Sequence, residues 1–121
     1  MKTCLSLILC WIVSASSIRV IDGDTFVASV DIWPGLTGTS IVRVLGVDTP
    51  EMRGDDAVKA QEARAFTTKW LDQSDSFTLT VGCAGRRSSD SFGRTLATVT
   101  RDGKNLADDL IAAGLGVKRD K

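Results

Sequence analysis

Residues 41–51 read IVRVLGVDTPE, and the fold turns on this stretch. From Ile41 to Val47 the chain is apolar and rich in β-branched residues, the composition of a buried strand. Side chains alternate along a strand, so Ile41, Arg43, Leu45 and Val47 share one face and Val42 and Val44 the other. Arg43 is out of place in such a run, because a guanidinium is costly to bury without an anionic partner. Two carboxylates follow at once, Asp48 and Glu51, with Pro50 between them ending the strand.

Working upstream, residues 17–22 (SIRVID) and 25–31 (TFVASVD) read as strands joined at Asp22-Gly23, a hairpin signal. Residues 33–39 open with Trp33-Pro34-Gly35 and read as a loop, in which Trp33 is expected to cover core. Downstream, residues 57–72 (AVKAQEARAFTTKWLD) read as a helix preceded by Asp55 and Asp56, charges suited to a helix N-terminus. Ala63, Phe66 and Trp70 recur at helical spacing with Val58 and Ala65 beside them, and this stripe is expected to be core. Residues 77–81 (FTLTV) alternate as a strand, and residues 82–91 form a polar loop carrying Arg86 and Arg87. A last strand over 94–104 closes on an Asp102-Gly103 turn. A short helix over 105–113 follows, capped by Asn105 and stopped by Gly114, with Leu106, Leu110 and Ile111 as its apolar face. Three strands, a helix, two strands and a helix predict a mainly β, α+β domain. The expected form is a five-stranded Greek-key barrel of the OB-fold type with two packed helices.

The N-terminus reads differently. A basic Met1-Lys2 start, an apolar run over residues 5–13 and small residues from Ser14 to Ser17 have the three-part layout of a secretory signal peptide. The run is far shorter than the ~20 residues a membrane-spanning helix needs. The expectation is a signal peptide over 1–15, cut after Ala15, and a single domain over 16–121. The alternative is an uncleaved first strand. Lipid attachment at Cys10 is disfavoured by the bulky Leu9 before it. Cleavage would place the protein outside the cytoplasm, secreted or periplasmic, with no stable membrane association. It would also remove Cys4 and Cys10, leaving Cys83 without an internal disulfide partner.

Charge excludes one class of protein. Fifteen basic and fifteen acidic residues cancel, so binding through a uniformly basic surface is not expected. The acidic group Asp22, Asp24, Asp48 and Glu51 stands against the basic Arg43, Arg86, Arg87 and Arg94. Clustered carboxylates repel each other unless a cation enters. The chain has no histidine, which argues against zinc.

Three segments carry this chemistry: VIDGDT at 20–25, VRVLGVDTPE at 42–51 and DSFGRTLATV at 90–99, followed by a DGK turn and a helix ending AAGLG. Together, in this order and spacing, they resemble the staphylococcal nuclease family. The resemblance runs from about Ile18 to Val117. It implies an OB barrel and a Ca²⁺-dependent phosphodiesterase that cuts DNA and RNA with little sequence preference and leaves 3′-phosphate ends. One Ca²⁺ ion is implied, held by the Asp24 and Asp48 carboxylates and the Thr49 backbone carbonyl, with Asp22 close behind. Arg43 and Arg94 match the two catalytic arginines, and Glu51 the residue that orients or deprotonates water. On this reading, replacing Arg43 or Arg94 costs rate and leaves the fold intact.

The chain departs from the family's pattern at Ser91 and Phe92, where a lysine and a tyrosine would help hold a terminal phosphate. Phe92 keeps a ring for stacking, and Arg86 and Arg87 offer replacement charge. The alternative function is a non-catalytic module that binds nucleic acid or protein. Such copies typically lose the carboxylates or arginines, and all are present here. No sequence feature indicates a dimer.

Overall fold

The computed structural model describes residues 10–119. Residues 1–9, the first part of the expected signal segment, lie outside the described residues, as does Cys4. The elements in order are β1 (Trp11–Asp22), β2 (Thr25–Trp33), β3 (Leu36–Val44), β4 (Val47–Asp48), α1 (Ala57–Leu71), β5 (Phe77–Val81), β6 (Thr95–Arg101), β7 (Lys104–Asn105), α2 (Leu106–Ala112) and β8 (Val117–Lys118). A single 3₁₀ turn, Cys83–Gly85, follows β5.

The strand order β3-β2-β1-β5-β6 closes on itself because β3 also pairs with β6, in parallel through Val42–Thr95, Arg43–Leu96 and Val44–Ala97. The result is a closed five-stranded mixed barrel with two helices, the OB-type architecture expected from the element order. Its interior is filled by the inward residues of each strand: Phe26 and Ala28, Val42 and Val44, Phe77 and Leu79, Ala97 and Val99. Phe26 and Phe77 meet edge to face at 5.6 Å between centroids. Leu106 and Leu110 of α2 close the core, and α1 lies over β1.

The two Asp-Gly turns form as expected: Asp22 pairs with Thr25 across the first hairpin, and Asp102 (φ 52°) with Gly103 (φ 79°) joins β6 to β7. At Gly23 the helix α1 approaches so closely that a Cβ would stand 2.7 Å from that of Ala63. Thr67 fixes this approach by donating its hydroxyl to the Gly23 carbonyl at 2.6 Å. The Asp56 carboxylate caps α1 by accepting from the Lys59 amide, and Asn105 caps α2 by accepting from Ala107 and Asp108.

Several expectations change. The segment 33–39 is not a loop: Pro34 and Gly35 make a two-residue turn, and β2 and β3 run on to pair Trp33 with Leu36. Trp33 therefore stands on a solvated hairpin tip, 72% exposed, and covers no core. Val58 and Ala65 of α1 are also exposed, because the helix buries Ala60, Ala63, Thr67, Trp70 and Leu71 instead.

The expected boundary at residue 16 falls inside β1. Residues 11–15 pair antiparallel with β5, from Trp11–Val81 to Ala15–Phe77, and Ala15 is buried. This pairing brings the start of β1 beside the end of β5, and Cys10 is bonded to Cys83 in a disulfide. In the uncleaved chain Cys83 thus has an internal partner, and a crosslink supplements the core; a cut after Ala15 would remove it. Among the described residues no helix is long and apolar enough to cross a membrane.

Candidate active site

The parallel pairing of β3 with β6 sets the site, because it puts Arg43 beside the strand that begins just after Arg94. Arg43 points out of the barrel, yet only 8% of its surface is exposed. The turn at Leu45-Gly46 folds β4 back over it. Its Nη1 donates to the carbonyls of Val44 at 2.6 Å and Val47 at 2.9 Å. Its Nη2 donates to Asp48 Oδ1 and stands 3.4 Å from Asp24 Oδ2. The anionic partner demanded by a buried guanidinium is therefore a pair of carboxylates.

Asp24 is also buried, and both of its oxygens are held. Oδ1 accepts from the Thr25 hydroxyl at 2.9 Å and Oδ2 from the Thr49 amide at 3.0 Å. The hairpin turn and the segment after β4 are thereby tied together. Asp22 adds a second tie, its Oδ1 accepting from the Met52 amide at 2.9 Å. Between these anchors lies Glu51, exposed on a turn that its own carbonyl closes by accepting from the Gly54 amide. Among the described residues the Thr49 hydroxyl is buried without a hydrogen-bond partner.

Arg94 is placed by a different device. The Asp90 carboxylate accepts from the backbone amides of Phe92 and Arg94 and, at 2.7 Å, from Arg94 Nε. Gly93, at φ 79°, lets the chain turn sharply enough to do this. Partial burial works to raise the Asp90 carboxyl. The Arg94 amide, the Arg94 side chain and the Phe92 amide outweigh it, so the pKa lies below the usual carboxylate value. The Arg94 guanidinium stands 5.4 Å from the centre of the Phe92 ring, itself 82% exposed.

Arg43 and Arg94 share one cleft of about 950 Å³, which Arg86, Arg87, Phe92 and Arg119 also line. Asp24 and Asp48 reach it through Arg43. Asp48 and Thr49 border a neighbouring depression, and Asp22 and Glu51 line neither. Two residues escaped the sequence reading. Asp90 was legible only as part of a motif, although an Asp before a Gly-containing turn is the usual signal for such side-chain capping. Arg119, which donates to Asp48 Oδ1 at 2.9 Å, left no local signal at all.

Two carboxylates that look onto a single guanidinium nitrogen are a donor pair able to share a hard cation. Their oxygens are hard donors of the kind Ca²⁺ takes, with water able to complete a shell. Among the described residues no group of three or more His, Cys, Asp or Glu side chains converges.

A closed OB-type barrel with an arginine-lined, aromatic-edged cleft has the form of a nucleic-acid-binding module. The family of staphylococcal nuclease homologues matches residues 41–120, more than half of the chain, and the chain belongs to that family. Its members are typically nuclease hydrolases, so this is a nuclease-type or nucleic-acid-binding domain. No curated protein matches the chain.

Proposed function

We propose that the protein is a Ca²⁺-dependent phosphodiesterase that cuts DNA and RNA endonucleolytically with little sequence preference. The observation that supports this most is the convergence of Arg43, bridging Asp24 and Asp48, with Arg94 in one cleft. A phosphodiester under attack gathers charge on its equatorial oxygens. Two planar guanidinium forks suit those oxygens in a way that ammonium groups do not. Arg43 is held rigid by two carbonyls, and Arg94 is steered by Asp90, so both are oriented before substrate arrives.

Asp24, Asp48 and the Thr49 carbonyl would hold one Ca²⁺ ion, which supplies positive charge to a phosphate oxygen. Asp22 holds the 49–52 segment in place from behind. Glu51 takes or orients a proton of the attacking water. In-line attack by the water oxygen on phosphorus then breaks the bond to the 5′ oxygen, which takes up a proton and leaves as a 5′-hydroxyl, and the other fragment keeps a 3′-phosphate. Phe92 stacks on a base, and Arg86 and Arg87, both exposed on the cleft rim, hold flanking phosphates. The Cys10–Cys83 disulfide suits an oxidising compartment only where residues 10–15 stay in β1, since a cut after Ala15 would remove Cys10. Incubation of plasmid DNA with the protein in Ca²⁺ and in EGTA tests the proposal. Degradation in Ca²⁺ alone is expected, and intact DNA in both would leave a binding module.

A further inference from the structure

Arg119 stands at the meeting point of the carboxylate pair and the arginine-lined cleft. Strand β8 pairs antiparallel with β4, Val47 with Lys118 and Asp48 with Val117, and the Arg119 amide donates to the Gly46 carbonyl at 3.1 Å. This backbone is tightly seated. A Cβ on Gly116 would come within 2.5 Å of Val47 Cγ2, so only glycine permits the approach. The root of Arg119 is therefore fixed.

Its head is not. The side chain is 55% exposed, and among the described residues its hydrogen-bonding partner is Asp48 Oδ1. A guanidinium carries five donors in a planar fork, so most of the Arg119 fork is left to face the cleft it helps to line. The same Asp48 oxygen also accepts from Arg43. The two arginines are not equivalent. Arg43 is buried and bonded to two carbonyls, whereas Arg119 holds Asp48 through an exposed ion pair of the kind that contributes little and exchanges easily.

We propose that Arg119 is a phosphate-binding, affinity-determining residue whose hold on Asp48 competes with the divalent cation. When Asp48 ligates a cation, its oxygen loses the charge that attracts Arg119. The freed guanidinium then takes a backbone phosphate of the nucleic acid strand in the cleft. Cation binding thereby adds one phosphate contact, and the two ligands become coupled through a single side chain. This inference rests on the proposed reading of Asp48 as a Ca²⁺ ligand and of the cleft as a phosphodiester site.

The test compares wild-type chain with R119A in two measurements. The first is calorimetric titration with Ca²⁺ in the absence of nucleic acid. Removing a competing positive charge should tighten Ca²⁺ binding about three- to tenfold. The second is the salt dependence of KM on single-stranded DNA in saturating Ca²⁺. KM should rise about five- to tenfold with kcat nearly unchanged, the pattern of lost uniform binding. The slope of log KM against log salt should fall by about 0.7, the contribution of one single-strand phosphate contact.

A plain structural tie between β8 and β4 moves neither the Ca²⁺ affinity nor the salt slope, so either quantity at its wild-type value overturns the proposal. A wild-type chain that binds no Ca²⁺ overturns this inference and the metal reading together. Wild-type Ca²⁺ binding with R119A indistinguishable from it overturns this inference alone. The backbone tie to Gly46 survives the substitution. Should R119A nevertheless fail to fold, R119Q, which removes the charge and keeps a hydrogen-bonding head, gives the same two readings.

Discussion

Arg43→Ala should unfold the protein more easily as well as inactivate it, and the structure sets the size of the effect. The Arg43 side chain is 9% exposed, and its guanidinium faces two carbonyls and two carboxylates. Removing one partner of a buried ion pair costs about 3–5 kcal/mol, because the remaining charge stays buried and uncompensated. Here Asp24 is buried but the Asp48 side chain is 45% exposed and keeps Arg119, so the lower end, about 3 kcal/mol, applies. At about 2.1 cal/mol/K of unfolding entropy per residue, that corresponds in a chain of 121 residues to a fall in Tm of about 12 °C. This differs from the sequence expectation that the substitution leaves the fold intact, and the unfolding measurement decides between them. Arg94→Ala provides the contrast, since Arg94 is partly exposed and, among the described residues, its side chain bonds to Asp90 within its own loop. Its Tm should stay within a few degrees of wild type. Thermal unfolding followed by circular dichroism in EGTA, with and without added Ca²⁺, reads both. Ca²⁺ should restore part of the Arg43→Ala loss by supplying the missing positive charge between Asp24 and Asp48. An Arg43→Ala variant with a wild-type Tm would refute the structural role assigned to this residue.

Three further outcomes are expected. Cys83→Ser opens a crosslink between residues 73 apart in sequence and should cost about 4 kcal/mol by the loop-entropy relation, read as a lowered urea midpoint; an unchanged midpoint under oxidising conditions would remove the disulfide from the stability account. The Asp90 carboxyl has a folded pKa below its unfolded value, so its contribution to stability is present above the ordinary carboxylate pKa and is lost as pH falls through the lowered one. Asp90→Asn should flatten that acid limb in pH-dependent unfolding, and an unaltered limb would contradict the assignment. Gly23→Ala forces a Cβ against Ala63 and should cost about 1–3 kcal/mol through overpacking, while a neutral result in urea titration would show that α1 can retreat.

How much of this was legible beforehand follows from what each signal depends on. The Asp-Gly turns and the FTLTV alternation are local, and they gave the hairpins and β5 at their observed positions. The tips of β2 and β3 project beyond the core, so their residues lack apolar alternation, and Pro34-Gly35 read as a loop when it is only a turn. The start of β1 was hidden for the opposite reason. An unbroken apolar run carries no period, and secretion signals and buried strands share that composition. The site divides in the same way. Arg43 stood out because charge inside an apolar strand is anomalous, whereas Asp48 and Arg94 were marked only by the resemblance to the staphylococcal nuclease family. Arg119 meets Asp48 only through the two-residue strand β8, a pairing no local pattern announces.

The central proposal is that one cleft brings two guanidinium groups, one of them bridging Asp24 and Asp48, to a phosphodiester. It is tested most directly by incubating a 5′-labelled single-stranded oligonucleotide with wild-type chain and Arg94→Ala, in Ca²⁺ and in EGTA, and resolving the products. A ladder of 3′-phosphate fragments from wild type in Ca²⁺ alone, fading by at least about a hundredfold in Arg94→Ala, is the predicted result. Intact oligonucleotide in every lane, or an undiminished ladder from Arg94→Ala, would contradict it.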